Sequence, residues 1–498
     1  MNRTNFLLIL CDQLSASALS FYGNSYSHTP NLDRLAEKSA IFEYTYTPCP
    51  LCQPARASFW TSRYPHETGV RTNLPLQQVP RFREQPHSGE PEIMASLSET
   101  LPTMGQLFSE AGYRCVHFGK THDYGALKGF QIVPSEEVKI PRENPSINYD
   151  YETFLDIDTT QKAVRWLSTE ANSCGQPFLA VADLQNPHNI CSYIGEMRDG
   201  CHPDTFPLER SLPPLPENFE FDDIGNRPPF IQYLCCAHRR LRHASHWTPL
   251  DYQYYLYAYY HYLSTVDRQI GEILSALEAG KNAGNTAVIF FSDHGEGMAA
   301  HRMVTKYGVF YEESNRVPFL VSGPGIPAGK RITGVASLLD LLPTMLDYAS
   351  LPVPGTLSGI SLADALTGSS EATGNSYIAA EWHDEFRDYT VPGRMICDEN
   401  YKYTCYLEPD SEELFDLQSD RLETKNLARL PEYSLVLESY RRKLADHLVK
   451  TSDDFLRLAV SDTSAYRHHP LGYQNHQGLS AVEEYAISIK AKAAGQQA

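Results

Sequence analysis

Short apolar runs separated by helical patterns set the strongest constraint on this chain. The runs are Phe6–Cys11, Tyr113–Phe118, Pro177–Ala182, Ala287–Phe291 and Val317–Val321. Short apolar runs of this kind read as strands. Helical periodicity fills Asn31–Lys38, Leu101–Glu110, Thr159–Thr169 and Tyr254–Glu278. Strand and helix in alternation predict an α/β fold, in which ligands gather beyond the carboxyl ends of the strands. All but the last run lead directly into polar residues: Asp12-Gln13, Lys120-Thr121-His122, Asn186-Pro187-His188 and Asp293-His294. These residues are drawn together by the topology before any motif is invoked.

The 498 residues suffice for one large domain and a smaller one. A Gly/Ser-rich stretch around 365–375 suggests the division. Residues 1–370 would form the large domain. Residues 371–498 would form a subdomain with a small antiparallel sheet (Tyr377–Ala380, Tyr401–Leu407), a helix at Pro431–Lys450 and a tail. Residues 76–98 and 192–230, rich in Pro and polar side chains, read as long surface loops. With 42 Lys+Arg against 61 Asp+Glu, the net charge of −19 argues against nucleic acid or an anionic membrane as partner. An anionic substrate therefore requires a local cationic pocket. No run is long enough to span a bilayer, and the Phe6–Leu10 run, leading straight into Cys11 and Asp12, reads as a first strand and not as a signal peptide. The eleven cysteines show no disulfide framework, which fits reduced thiols and a cytoplasmic location.

The most specific motif is Cys52-Gln53-Pro54-Ala55-Arg56, continued by Ala57-Ser58-Phe59-Trp60-Thr61-Ser62-Arg63-Tyr64-Pro65. This Cys-x-Pro-x-Arg core resembles the modification motif of the sulfatase family, in which a maturation enzyme oxidises the cysteine to formylglycine. Further matches follow in the family's order. Leu8–Gln13 is similar to the opening strand, and Thr29–Ala36 to the helix after it. Phe118–His122 resembles a sulfate-holding Lys-x-His element, and Ser292–Glu296 the second metal segment. Lys306, Tyr311–Pro318 and the C-terminal stretches Glu413–Leu417 and Glu423–Leu427 complete the series. A Cys-x-x-Cys pair of Cys49 and Cys52, for metal or redox chemistry, is the competing reading; no second cysteine pair with ligand spacing accompanies it.

The resemblance implies an alkaline-phosphatase-like sandwich: a large mixed sheet between helices with a smaller C-terminal α+β subdomain. It implies one divalent metal held by Asp12, Gln13, Asp293, His294 and the modified Cys52. Gln13 and His294 depart from the commoner Asp-Asp and Asp-Asn pattern, as in the branch that includes phosphonate monoester hydrolases. Oxygen ligands favour Ca²⁺, whereas an imidazole shifts preference toward Mn²⁺ or Zn²⁺. A sulfate monoester is a poor, negatively charged electrophile, so catalysis needs a strong nucleophile and cations on the sulfate oxygens. An aldehyde hydrate offers one hydroxyl to attack sulfur and a second whose deprotonation expels sulfate; a serine could not release the intermediate that way. Arg56 would orient the hydrate, and Lys120 and Lys306 would clamp sulfate. His122 and His188 are the candidate base and acid, with the two roles interchangeable.

Substrate contacts are expected from Asn73, His301, His383 and the basic stretch 235–247, where Arg239 and Arg242 are candidates for binding a polyanionic sugar. Arg387 is a weaker candidate of the same kind. The expected function is hydrolysis of a sulfate ester on a carbohydrate, with a glycosaminoglycan oligosaccharide the leading substrate. A phosphonate or phosphate monoester hydrolase, an aryl sulfatase, and a non-catalytic binding protein with an unmodified Cys52 are the alternatives.

Overall fold

A computed structural model describes residues 3–73, 97–135, 151–173, 175–196, 208–220, 223–228, 231, 244, 247–306, 309–369, 372–383, 391–407 and 411–458. The central strands of its large sheet are β1 (Asn5–Asp12), β3 (Arg114–Gly119), β5 (Phe178–Pro187) and β6 (Thr286–Ser292), all parallel, in the order β3-β5-β1-β6. The short β4 (Gln131–Val133) extends one edge beside β3. On the other side β8 (Phe319–Ser322) runs antiparallel to β6 and to β2 (Ala40–Tyr46), which also pairs with β7 (Arg316–Val317) and β9 (Arg331–Ser337). The sheet is therefore mixed, as expected. The single run expected at Val317–Val321 is instead two strands broken at Pro318, which has no N–H to give to a ladder.

Strand β1 shows why the runs are continuous. Leu7, Ile9 and Cys11 enter one buried cluster, and Phe6, Leu8 and Leu10 enter another on the opposite face. Helices α1 (Pro30–Glu37), α4 (Tyr151–Ser168) and α5 (Pro249–Glu278) cover the first face. Helices α2 (Cys52–Thr61), α3 (Met104–Glu110) and α6 (Leu341–Tyr348) contribute to the second. Each fully buried Leu, Ile or Phe contributes about 1.5–3 kcal/mol, so both faces are held strongly enough to fix the register. Helix α3 begins later than its sequence pattern suggests, because Thr103 forms a capping box with Gln106. Helix α5 begins earlier, at Pro249, where Thr248 and Asp251 form a second box. Among the described residues, no helix is long and apolar enough to cross a membrane.

A second sheet, β10 (Ile378–Trp382), β11 (Gly393–Cys397), β12 (Tyr401–Tyr406) and β13 (Glu412–Asp416), is an antiparallel meander. Helix α7 (Ser434–Thr451) packs against it through Leu437, Tyr440, Leu444 and Leu448. The smaller α+β unit expected at the C-terminal end is thus present. Buried ions join it to the rest. Lys402 Nζ lies 2.8 Å from a carboxylate oxygen of Glu312 and 2.8 Å from one of Glu423, and Arg227 lies 3.2 Å from Glu413. His66 donates from Nδ1 to Glu381 (2.5 Å) and from Nε2 to the Thr451 carbonyl (3.1 Å), so both ring nitrogens serve as donors. Arg394 completes that cluster through Asp453, at 2.6 and 2.8 Å.

Candidate active site

Because β1, β3, β5 and β6 run parallel, their carboxyl ends deliver Asp12, Lys120, His188 and Asp293-His294 to one edge of the sheet. Helix α2 starts at the same place with Cys52 as its first residue, and all of its residues are buried. The thiol therefore sits at the positive end of a helix dipole. Cys52 Sγ lies 3.1 Å from His294 Nε2, 3.3 Å from Lys306 Nζ and 3.9 Å from Asp12 Oδ1. Burial opposes ionisation of the thiol. Lys306, His294 and hydrogen bonds from His122 and His188 outweigh it and hold Cys52 well below the usual thiol range. The pocket is thus built to stabilise a negative charge on the atoms at position 52.

Arg56, one helical turn after Cys52, is buried and spends its guanidinium on three carboxylates. Nη1 donates to Asp183 (2.7 Å), Nε to Asp293 (2.9 Å) and Nη2 to Asp12 (3.1 Å). It therefore holds three carboxylates of the site in place. Lys120 Nζ lies 2.6 Å from Asp12 Oδ2. Burial and Cys52 push the Asp12 carboxyl upward, but Lys120, His188 and Arg56 hold it well below the usual carboxylate range. Asp293 moves the other way, raised by burial and by the negative charge of Asp12.

The donor set suits a divalent cation. Asp12, Cys52, Asp293 and His294 each present one ligand atom, all within 4.8 Å of one another and all buried. A cation between Asp12 and Asp293 would relieve their repulsion. The His294 Nδ1–H donates to the Gly295 carbonyl (2.9 Å), which leaves the Nε2 lone pair for the cluster. Gln13 follows β1 with φ +67°, its N–H donating to Asp293 Oδ1 (3.1 Å) and its Oε1 accepting from Lys306 Nζ. Cys52 Sγ occupies the place that the oxygens of an aldehyde hydrate would take.

His188 Nδ1 is 2.8 Å from Glu152 Oε1, so the ring is oriented by α4. Burial disfavours its charge, yet Glu152 raises it well above the ordinary histidine range. With the Gln53 amide turned so that its nitrogen donates to the Thr72 and Asn73 carbonyls (3.2 and 3.0 Å), its oxygen accepts from His122 Nε2. Thus Cys52, Arg56, Lys120, His122, His188, Lys306, Asp12, Gln13, Asp293 and His294 form one cluster.

Other expected residues lie elsewhere or serve differently. Asn73 Oδ1 accepts from the Gln53 N–H (2.9 Å), tying its loop to the first turn of α2. His301 is buried with its ring centre 4.6 Å from that of Tyr311, and burial and Arg227 lower it to about 3, so it is neutral. His383 is buried directly after β10. Arg239, Arg242 and Arg387 lie outside the described residues. Asp183, Glu152 and Glu296 were not among the expected site residues. Asp183 had a visible signal, a lone carboxylate closing the apolar run of β5; burial of such a group demands a cation, here Arg56 with His117 at 3.2 Å. Glu152 had none, because only the fold brings α4 beside residue 188.

Comparison with known proteins agrees with this geometry. The Sulfatase family model matches residues 4–351, and the model of the N-sulphoglucosamine sulphohydrolase C-terminal region matches residues 300–450. The chain is 42% identical to a Delta 4,5-hexuronate-2-O-sulfatase of Bacteroides thetaiotaomicron, over 97% of this chain and 96% of that protein. A solved structure of a 2-O GAG sulfatase superposes with TM-score 0.84 at 42% identity, covering 97% of this chain and 100% of that one. A phosphonate monoester hydrolase of Agrobacterium radiobacter shares the fold, with TM-score 0.69 at 22% identity over 90% of this chain and 96% of the other. The alkaline-phosphatase-like fold expected from the motifs is the one observed, and the chain belongs to the sulfatase family, the sulfuric ester hydrolases that use a formylglycine and a bound metal.

Proposed function

We propose that this enzyme removes the 2-O-sulfate from a Δ4,5-unsaturated hexuronate at the end of a glycosaminoglycan oligosaccharide. The observation that carries the reading is identity of 42% along 97% of the chain to a Delta 4,5-hexuronate-2-O-sulfatase, joined to a Cys52 pocket lined by Lys120, Lys306, His122 and His188. Formylglycine at position 52 supplies the nucleophile, and the metal supplies Lewis acidity and charge neutralisation. Ca²⁺ is the proposed ion, since the acidic oxygens of Asp12 and Asp293 dominate the donor set.

The chain's own residues do the remaining work. Lys306 and Lys120 flank position 52 and meet the sulfate oxygens. Arg56 fixes Asp12 and Asp293 against their mutual repulsion. Glu152 holds the His188 Nδ1–H, leaving Nε2 to give its proton to the departing sugar oxygen. His122, held by Gln53, takes the proton whose loss releases sulfate. Cys52 is only 1% exposed at the head of a wholly buried helix, so its oxidation by a maturation enzyme has to precede closure of the fold.

The test is sulfate release, by ion chromatography, from unsaturated disaccharide isomers sulfated at uronate O2 or at the hexosamine, beside an aryl sulfate and an aryl phosphonate. Turnover of the 2-O-sulfated isomers well above all others is expected. Preference for a hexosamine sulfate would overturn the position, and a fastest aryl phosphonate would overturn the sulfate ester itself. A Cys52 peptide with the mass of an unmodified thiol, in protein inert toward every ester, would favour the binding-protein reading.

A further inference from the structure

Glu296 is buried beside the metal cluster, where the roles described above do not employ it. Its Oε1 accepts from the Tyr255 hydroxyl (2.6 Å) and from the Thr305 N–H, and its Oε2 accepts from Gln13 Nε2. Every partner is a donor. Tyr255 is itself fixed near the start of α5, its hydroxyl accepting from the Met298 N–H (3.2 Å). On the other side of Gln13, Oε1 accepts from Lys306 Nζ, which lies 3.3 Å from Cys52 Sγ. An amide offers a donor to one neighbour and an acceptor to the other. A carboxylate of the same size would meet Glu296 with like charge at hydrogen-bond distance.

We propose that Glu296 is a positioning residue that fixes the amide of Gln13, turning Oε1 toward Lys306 and the divalent-cation site and excluding a carboxylate from position 13. The proposal rests on Asp12, Gln13, Asp293 and His294 being a metal site. Glu296→Gln should invert the amide. The Thr305 N–H repels the new NH₂, which turns toward position 13 and forces the Gln13 NH₂ against Lys306. Gln13→Glu, although it adds a negative charge, should weaken cation binding through repulsion by Glu296. The exchange Gln13→Glu/Glu296→Gln restores a donor opposite an acceptor and keeps the net charge.

The experiment is calorimetric titration of the four full-length proteins with Ca²⁺, alongside the Ca²⁺-induced shift in Tm. Each single variant should bind at least about tenfold more weakly than wild type, the usual scale for losing a partner behind a metal ligand. The exchange should return to within about threefold, a strongly non-additive cycle. Gln13→Glu binding as tightly as wild type, or additive losses in the exchange, would overturn the proposal. If a single variant does not fold, the readout is recovery of a cooperative metal-free melting transition in the exchange, and an exchange that also fails to fold is equally fatal. A wild type that binds no Ca²⁺, Mn²⁺ or Zn²⁺ overturns the metal reading and this proposal together, whereas additivity with wild-type binding intact overturns this proposal alone.

Discussion

Replacing Arg56 by alanine leaves Asp12, Asp183 and Asp293 facing a buried hole that held their shared cation. Asp12 retains Lys120 at 2.6 Å, and Asp183 retains, among the described residues, His117 at 3.2 Å. Removing one partner of a buried pair costs about 3–5 kcal/mol, because the remaining charge stays desolvated. Here three carboxylates lose that partner, so this range is a floor for the metal-free protein. Against a typical stability of about 5–15 kcal/mol, such a loss removes much of the margin. A bound divalent cation would offset part of it, since Asp12 and Asp293 would then have a counter-charge; ligand at a hundred times its Kd adds about 2.7 kcal/mol. Urea unfolding of Arg56→Ala, with and without Ca²⁺, should therefore show a drop of about 3 kcal/mol or more in chelator, with partial recovery on adding the ion. Arg56→Lys should fall between, since a compact ammonium lacks the reach of the planar guanidinium across three separate carboxylates. A variant within about 1 kcal/mol of wild type in chelator would refute the account, because it would mean that the carboxylates do not need the guanidinium.

Other expectations concern pH, the cysteines and the leaving group. Burial opposes the charge on His66, but Glu381 and Asp453 raise it to about 9 from 6.5. Its stabilising contribution is therefore complete below about pH 6.5 and lost as pH rises through about 9. The wild-type Tm should decline across that window, and His66→Gln should abolish that part of the decline. Cys49→Ser should leave kcat/KM nearly unchanged, whereas Cys52→Ser should stop turnover; loss of activity on changing Cys49 would revive the paired-thiol reading. Glu152→Gln should cut kcat on a sugar sulfate by about 10²-fold or more while sparing an aryl sulfate, whose leaving group needs little protonation. Equal losses on both esters would mean that Glu152 serves only the fold. Lys402→Met leaves Glu312 and Glu423 buried without their shared cation, and denaturation should report a loss of about 3–5 kcal/mol.

Motif and apolar pattern together announce the family's chemistry and the frame that carries it. Continuous apolar runs specified buried parallel strands, because each side chain of β1 has a core to enter on one face or the other. The polar residues closing those runs had to meet, since parallel strands end at the same edge. Lys120, Asp293 and His294 were therefore legible without coordinates, and Cys52 through the resemblance of its motif to that of the sulfatase family. Strands β2 and β9 were not read from the sequence, because Glu43 interrupts the apolar pattern of the first and Thr333-Gly334 that of the second. The start of α4 was missed because its first turns carry Glu152 and Asp156, which serve residues 185–188 across the fold. The partners of the polar groups, by contrast, come from contacts made across the fold. Arg56 was legible as a site residue, yet its three carboxylate partners come from positions far apart in sequence. Asn73 and His301 read as pocket residues, but their bonding is settled by contacts with Gln53 and Tyr311 that no local pattern announces. Gln13 looked like an isolated departure in a metal motif. Its meaning lies in Glu296, a neighbour across 283 positions of chain whose demand for a donor an amide can satisfy and a carboxylate cannot.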